Sequence, residues 1–315
     1  MIVVHGSSPP EPESDAERKR RSASHLQGLD RGPVVLHDQP MTEPSSSALA
    51  GWASEPFTNA GITHTLFTRG SGPGVVLLPE IPGMTPEVMG LADHLVDAGF
   101  AVTVISLFGE PGRPLSPGYA ARSFVSACIS REFRAFAKRA DRPVAEYVRA
   151  VARRVHDRVG GPGVGVIGMC FSGGFALASA VEPAVLAPVA SQPSLPLPLT
   201  GARRRDLGMS DREREAISAR VQNDGLCLVG LRFSEDLAAP ADRFRSLRAA
   251  FGDGWLPIAL NSRPGNPAGI GKREHQVLTS KDVETPGHPT HEAREQVTAF
   301  LRERLGTGDR TATKA

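Results

Sequence analysis

From about residue 62 onward, short apolar runs alternate with longer amphipathic ones. The segment ITHTLFTRG, residues 62–70, alternates apolar and polar positions and predicts a strand at a sheet edge. GVVLLPE, residues 74–80, is apolar as far as its proline, the pattern of a strand covered on both faces. TPEVMGLADHLVDAGF, residues 85–100, carries its own helix punctuation. Thr85 suits the N-cap, Pro86 the first helical position and Gly99 the residue past the end. Val88, Leu91, Ala92, Leu95 and Val96 fall on one apolar stripe at helical spacing.

The same reading makes AVTVISLFG, GVGVIGM, GLCLVGLRF and LPIALN strands. It makes PVAEYVRAVARRVHDRV, GGFALASAV, DRFRSLRAAF and the closing HEAREQVTAFLRERL helices. Strand–helix alternation predicts an α/β fold, a mainly parallel sheet with helices on both faces. Ligands on such sheets bind beyond the carboxyl ends of the strands. Chemistry is therefore sought in the segments that follow each strand.

Composition narrows the class. The 315 residues are 40% hydrophobic and 22% charged, with a formal net charge of +2. That balance suits a globular domain and carries no basic footprint for nucleic acid. Residues 1–50 are rich in Pro, Ser, Glu and Arg without apolar periodicity, so a disordered tail is expected there, its ERKRR run included as solvated charge. Met41 offers an alternative start within it. The folded domain is expected over residues 51–308, with a disordered C-terminus over 309–315. No stretch reaches transmembrane length, and the N-terminal sequence is unlike a signal peptide. Cys128, Cys170 and Cys227 are odd in number and widely spaced, forming neither a disulfide framework nor a zinc pattern. A cytoplasmic protein with no membrane or nucleic-acid partner is expected, as a monomer or homodimer.

The stretch GVIGMCFSGGFALA places Cys170 directly between a strand and a helix. A residue on so tight a turn is held in strained geometry with its side chain presented outward, and its neighbours two before and two after must be small. Gly168 and Ser172 meet that need. The helix start aims its N–H groups at the thiol and favours the thiolate, the nucleophilic form. Two other readings stay open: Cys170 as an ordinary core cysteine, and Ser172, in CFSGG, as the nucleophile.

A nucleophile here needs an acid and then a histidine further along the chain. Asp236, in FSEDLAAP, follows a predicted strand, with Glu235 as rival. Three histidines lie downstream: His275 in the loop after the last strand, and His288 and His291 at the start of the final helix. His275 is preferred, with His288 the alternative. The oxyanion hole of such a site takes the N–H after the nucleophile, that of Phe171, and one from the loop after an early strand, PEIPGMT. Glu80 stands in that loop, as a solvent-exposed acid or as a working one.

Together LLPEIPGM, AVTVISLFGEPG, GVIGMCFSGGFALA, FSEDLAAP and HQVLT resemble the dienelactone hydrolase family, over roughly residues 60–305. The resemblance implies an α/β-hydrolase fold and cofactor-free, metal-free hydrolysis of a small ester or lactone. It implies Cys170 as nucleophile, His275 as base and Asp236 as the residue orienting it. Glu80 would contact the resting thiol and help activate it, and the Phe171 and Ile81 N–H groups would form the oxyanion hole. Arg131 would bind substrate. The sequence departs from the family at Ser172, where a glycine is usual, and at Thr279, near where the family has an arginine. A non-catalytic ligand-binding or scaffold protein on the same fold is the alternative, besides a Ser172 esterase.

Overall fold

Alternate residues of the central strands face opposite sides of one sheet, and helices cover both sides. The computed structural model describes residues 47–306. The expected tails, 1–50 and 309–315, lie outside the described residues except for 47–50. There Ser47–Leu49 form a 3-10 turn, and Leu49 is buried.

The strands are β1 (Ala53–Asn59), β2 (Ile62–Arg69), β3 (Gly74–Leu78), β4 (Ala101–Ile105), β5 (Val164–Met169), β6 (Val185–Ser191), β7 (Leu228–Phe233) and β8 (Trp255–Leu260). They pair in the order β1-β2-β4-β3-β5-β6-β7-β8. The β1–β2 and β2–β4 pairs are antiparallel, and the remaining pairs are parallel. The helices are α1 (Pro86–Asp97), α2 (Pro117–Ile129), α3 (Pro143–Val159), α4 (Gly173–Ser179), α5 (Gly201–Arg205), α6 (Asp211–Asp224), α7 (Ala241–Phe251) and α8 (Pro289–Leu305).

In β3, Val75 and Leu77 pack in one cluster with Leu91 and Leu95 of α1 and Val297 and Leu301 of α8. Val76 and Leu78 pack in another, with Tyr147, Val148 and Val151 of α3 and Phe175 of α4. This period of two is the pleat itself. The fold class is as expected, and α1 uses the predicted punctuation: Thr85 Oγ1 accepts from the Val88 N–H at 3.4 Å.

Four features differ from the sequence reading. ITHTLFTRG is not at the edge, because β1 pairs along its outer side. β1 itself, ASEPFTN, is too polar and proline-marked to read as a strand, and as the true edge it tolerates both. β6 was obscured by Pro188, which ordinarily argues against a central strand. Pro188 sits opposite Val166 of β5, whereas pairing with β7 begins only at Val189, so the missing N–H interrupts no bond on that side. The short α5 and the polar α6 carry too weak an apolar stripe to be predicted, and in α2 the buried face is Tyr119, Ser123 and Ala127 while Phe124, Val125 and Ile129 are exposed. No described helix is long and apolar enough to cross a membrane.

Candidate active site

The parallel strands deliver their following residues to one end of the sheet, beyond their carboxyl termini. β5 runs straight into Cys170, whose φ of 52° is left-handed and strained for a residue with a Cβ. The turn is also sterically closed. A Cβ on Gly168 would lie 2.6 Å from Ser172 O and 2.9 Å from Ala176 Cβ. The elbow expected at this position is therefore formed.

Ser172 serves that elbow from below. It is wholly buried. Its Oγ accepts from the Met169 N–H at 3.0 Å and lies 3.0 Å from the carbonyl oxygens of both Leu78 and Met169. The hydroxyl ties the turn to β3 and presents nothing to solvent, which removes the reading of Ser172 as nucleophile. It also explains how serine fits where a glycine was expected: the side chain turns inward.

Asp236 follows β7 and is 6% exposed. Its Oδ1 accepts from the N–H groups of Ala238 and Ala239, at 2.8 and 3.2 Å. Its Oδ2 lies 2.7 Å from His275 Nδ1. The rival Glu235 instead faces Arg263 at 3.7 Å. His288 caps α8, with Nδ1 accepting from the Thr290 N–H at 3.3 Å, and His291 Nδ1 meets Val283 O at 3.0 Å. Among the histidines downstream, His275 is the one joined to Asp236. Burial opposes charge on its ring, yet the Cys170 sulfur and the Asp236 carboxylate outweigh that and hold its pKa well above the ordinary 6.5.

Glu80 follows β3 and is 2% exposed. Its Oε1 accepts from Thr279 Oγ1 and from Gln276 Nε2, the latter at 2.9 Å, and its Oε2 accepts from Gln192 Nε2 at 3.1 Å. Burial raises its pKa above 4.5, and Thr279, His275 and the two amides offset that only in part. Glu80 is thus not a solvent-exposed loop acid. Nor does it make the implied contact with the thiol: Cys170 Sγ lies 3.4 Å from Ser194 Oγ and interacts with the His275 ring.

Gln192 and Ser194 were missed by the sequence reading. Both lie just past β6, so the unread strand hid the segment that follows it. Gln192 Oε1 accepts from Ser191 Oγ and, at 3.4 Å, from the Val277 N–H, so this amide joins the ends of β3 and β6 to the histidine loop. Ile81 and Cys170 are both partly buried against the same apolar cluster. The Phe171 ring packs inward against Phe108, Phe133 and Phe175, leaving its backbone at the elbow.

The structure does not bring Arg131 to these residues. It is exposed and lines a separate surface pocket with Ile62, His64 and Arg134, because the loop after α2 turns toward the β2 side. Among the described residues no group of three His, Cys, Asp or Glu side chains is arranged to hold a metal ion.

The model of the dienelactone hydrolase family matches residues 63–205. That stretch is similar to the dienelactone hydrolase family. It contains Glu80, Cys170, Gln192 and Ser194, and it ends before Asp236 and His275. A carboxymethylenebutenolidase of Rhodococcus opacus is 34% identical over 117 residues, 37% of this chain and 42% of that protein. The chain therefore matches less than half the length of that relative.

Solved structures agree on the fold. The dienelactone hydrolase of Anabaena variabilis superposes with a TM-score of 0.51 at 15% identity, over 81% of this chain and 98% of that one. The alpha/beta hydrolase GrgF of Penicillium gives 0.53 at 12% identity, over 81% and 99%. The matched segment thus sits within an α/β-hydrolase fold.

Proposed function

We propose that the protein is a cytoplasmic hydrolase that cleaves a small ester or lactone through a cysteinyl acyl-enzyme. Cys170 is the nucleophile, His275 its acid–base partner and Asp236 the carboxylate that orients the ring. The observation that carries this reading is the strained Cys170 on its elbow, with the Asp236–His275 pair formed at 2.7 Å. The Rhodococcus relative supports the reaction class by its name. A working thiol also needs a reducing compartment, which is why the cytoplasm is proposed.

The Cys170 thiolate adds to the acyl carbon, and the carbonyl electron pair moves onto oxygen. The N–H groups of Phe171 and Ile81 receive that charge. As the adduct collapses to a thioester, the C–O bond breaks and the departing alkoxide takes a proton from His275. Water then adds to the thioester carbon, giving a proton back to His275, and the thiolate leaves. One water is consumed; an ester yields an acid and an alcohol, and a lactone yields one hydroxy acid. No step calls on a cofactor or a metal. Glu80 is proposed to assist ionisation of the thiol through His275, its carboxylate favouring the imidazolium that balances the thiolate.

Cys170→Ala is expected to lower kcat/KM on small aryl esters by about 10³-fold or more. Mass spectrometry of the wild type after rapid acid quench should place the acyl group on Cys170. Undiminished hydrolysis by Cys170→Ala would overturn the assignment.

A further inference from the structure

Ser194 has no place in the mechanism above, yet its hydroxyl is, besides His275, a partner of the reacting sulfur. Its Oγ lies 3.4 Å from Cys170 Sγ, within hydrogen-bond reach of a large sulfur atom, and its N–H donates to Cys170 O at 3.0 Å. Two contacts thus register one residue against the other. Ser194 is 4% exposed, so water does not readily substitute for the hydroxyl.

The loop that carries Ser194 is fastened from behind by Arg243 of α7, which is wholly buried. Its Nε donates to Asp206 O at 2.7 Å and its Nη1 to Pro193 O at 2.6 Å. Its Nη2 donates to Pro196 O at 2.6 Å and to Arg203 O at 3.0 Å. All of these acceptors belong to the segment between β6 and α6, and one is the residue immediately before Ser194. A guanidinium with its donors spent on four carbonyls holds that loop in place rather than binding substrate.

The ionisable groups around the sulfur are His275, backed by Asp236, and Glu80. His275 balances the thiolate charge. Glu80 is occupied by Thr279, Gln276 and Gln192. The remaining acceptor capacity of the sulfur faces the Ser194 hydroxyl. We propose that Ser194 is a catalytic hydroxyl that donates to the Cys170 thiolate and keeps it populated before substrate arrives. This role rests on the cysteine nucleophile proposed above. Hydrogen bonds to charged groups are stronger than neutral ones, so the hydroxyl favours the thiolate over the thiol. Once the thioester forms, the neutral sulfur is a poor acceptor and the bond weakens.

The test follows alkylation of Cys170 by iodoacetamide, read on its own peptide by mass spectrometry so that Cys128 and Cys227 do not interfere. For Ser194→Ala the rate should fall about 10-fold near pH 6, and the loss should shrink as the pH is raised. Its kcat/KM on an aryl ester should fall about 10-fold near pH 7, and Ser194→Thr should recover most of both losses. An unchanged alkylation profile in Ser194→Ala, or an equal loss at every pH, overturns the proposal, the second outcome marking a merely structural serine. Cys170→Ala, assayed in parallel, separates the two claims. If that variant keeps its esterase activity, the cysteine reading fails; if it is dead while Ser194→Ala alkylates as wild type does, only the role of Ser194 fails.

Discussion

At the scale of single residues, the site is a set of groups whose charge states depend on one another. The Cys170 sulfur and Asp236 hold a proton on His275 against the cost of burial. Removing the sulfur in Cys170→Ala should therefore lower the titration midpoint of His275 relative to the wild type. A pH series of imidazole NMR signals measures this, and an unmoved midpoint would mean that the thiol and ring do not form a charged pair. Asp236→Asn should keep the fold and cost about 10³ to 10⁴ in kcat, because the amide favours the wrong tautomer of the ring. Glu80→Gln should reduce kcat/KM by about 10-fold, because it removes a negative charge that favours the His275 imidazolium. Full activity in Glu80→Gln would reduce Glu80 to a structural acid.

At the scale of elements, the elbow and the loop after β6 are built against each other. Gly168→Ala would drive a methyl into Ser172 O and Ala176, on backbone and helix atoms with little freedom to retreat. Overpacking of this kind costs about 1–3 kcal/mol, so thermal melting should show a drop of several degrees. Arg243 presents the complementary case. Burial lowers its pKa to about 10, yet its donors meet carbonyl oxygens and no carboxylate. Arg243→Met would leave those oxygens without a donor, at about 3 kcal/mol or more. Faster hydrogen exchange over residues 193–206 should accompany the loss of stability. If exchange stayed slow there, the loop would be held by other contacts.

At the scale of the whole molecule, the buried site imposes a pH dependence on stability. His275 and Glu80 both have folded pKa values raised above their unfolded ones, 6.5 and 4.5. Each binds its proton more tightly when folded, so the stability it contributes is fully present below the unfolded value. That stability is lost as pH rises through the folded value. Glu284 acts in the opposite sense: its ion pair with Arg294 lowers its pKa, and its contribution is lost as pH falls, but its side chain is 72% exposed and solvent screens it. The contribution of His275 to stability should therefore decline as pH rises above about 6.5, whereas His94, whose pKa burial lowers, acts in the opposite sense. His275→Gln should flatten any decline of the melting temperature over about pH 6 to 9. An identical slope in the variant would contradict the assignment of the shift to His275.

The sequence by itself determined the layered α/β plan, because apolar periodicity reports locally which faces are covered. It also determined the elbow at Cys170, since strand, small residues and helix start follow within a few positions. Chain order and loop position favoured Asp236 over Glu235 and His275 over His288 without joining the two. Only the tertiary structure decided those pairs, because the Asp236–His275 bond spans 39 positions and depends on how β7 and β8 lie side by side. It likewise decided that Ser172 points inward to Leu78, across 94 positions, and that Glu80 is held by Thr279 across 199. The strand β6, with Pro188 inside it, and the Gln192 and Ser194 that follow it were invisible for the same reason. A proline's missing donor matters only where a neighbouring strand is present to receive it, and sheet order is not written in any local window.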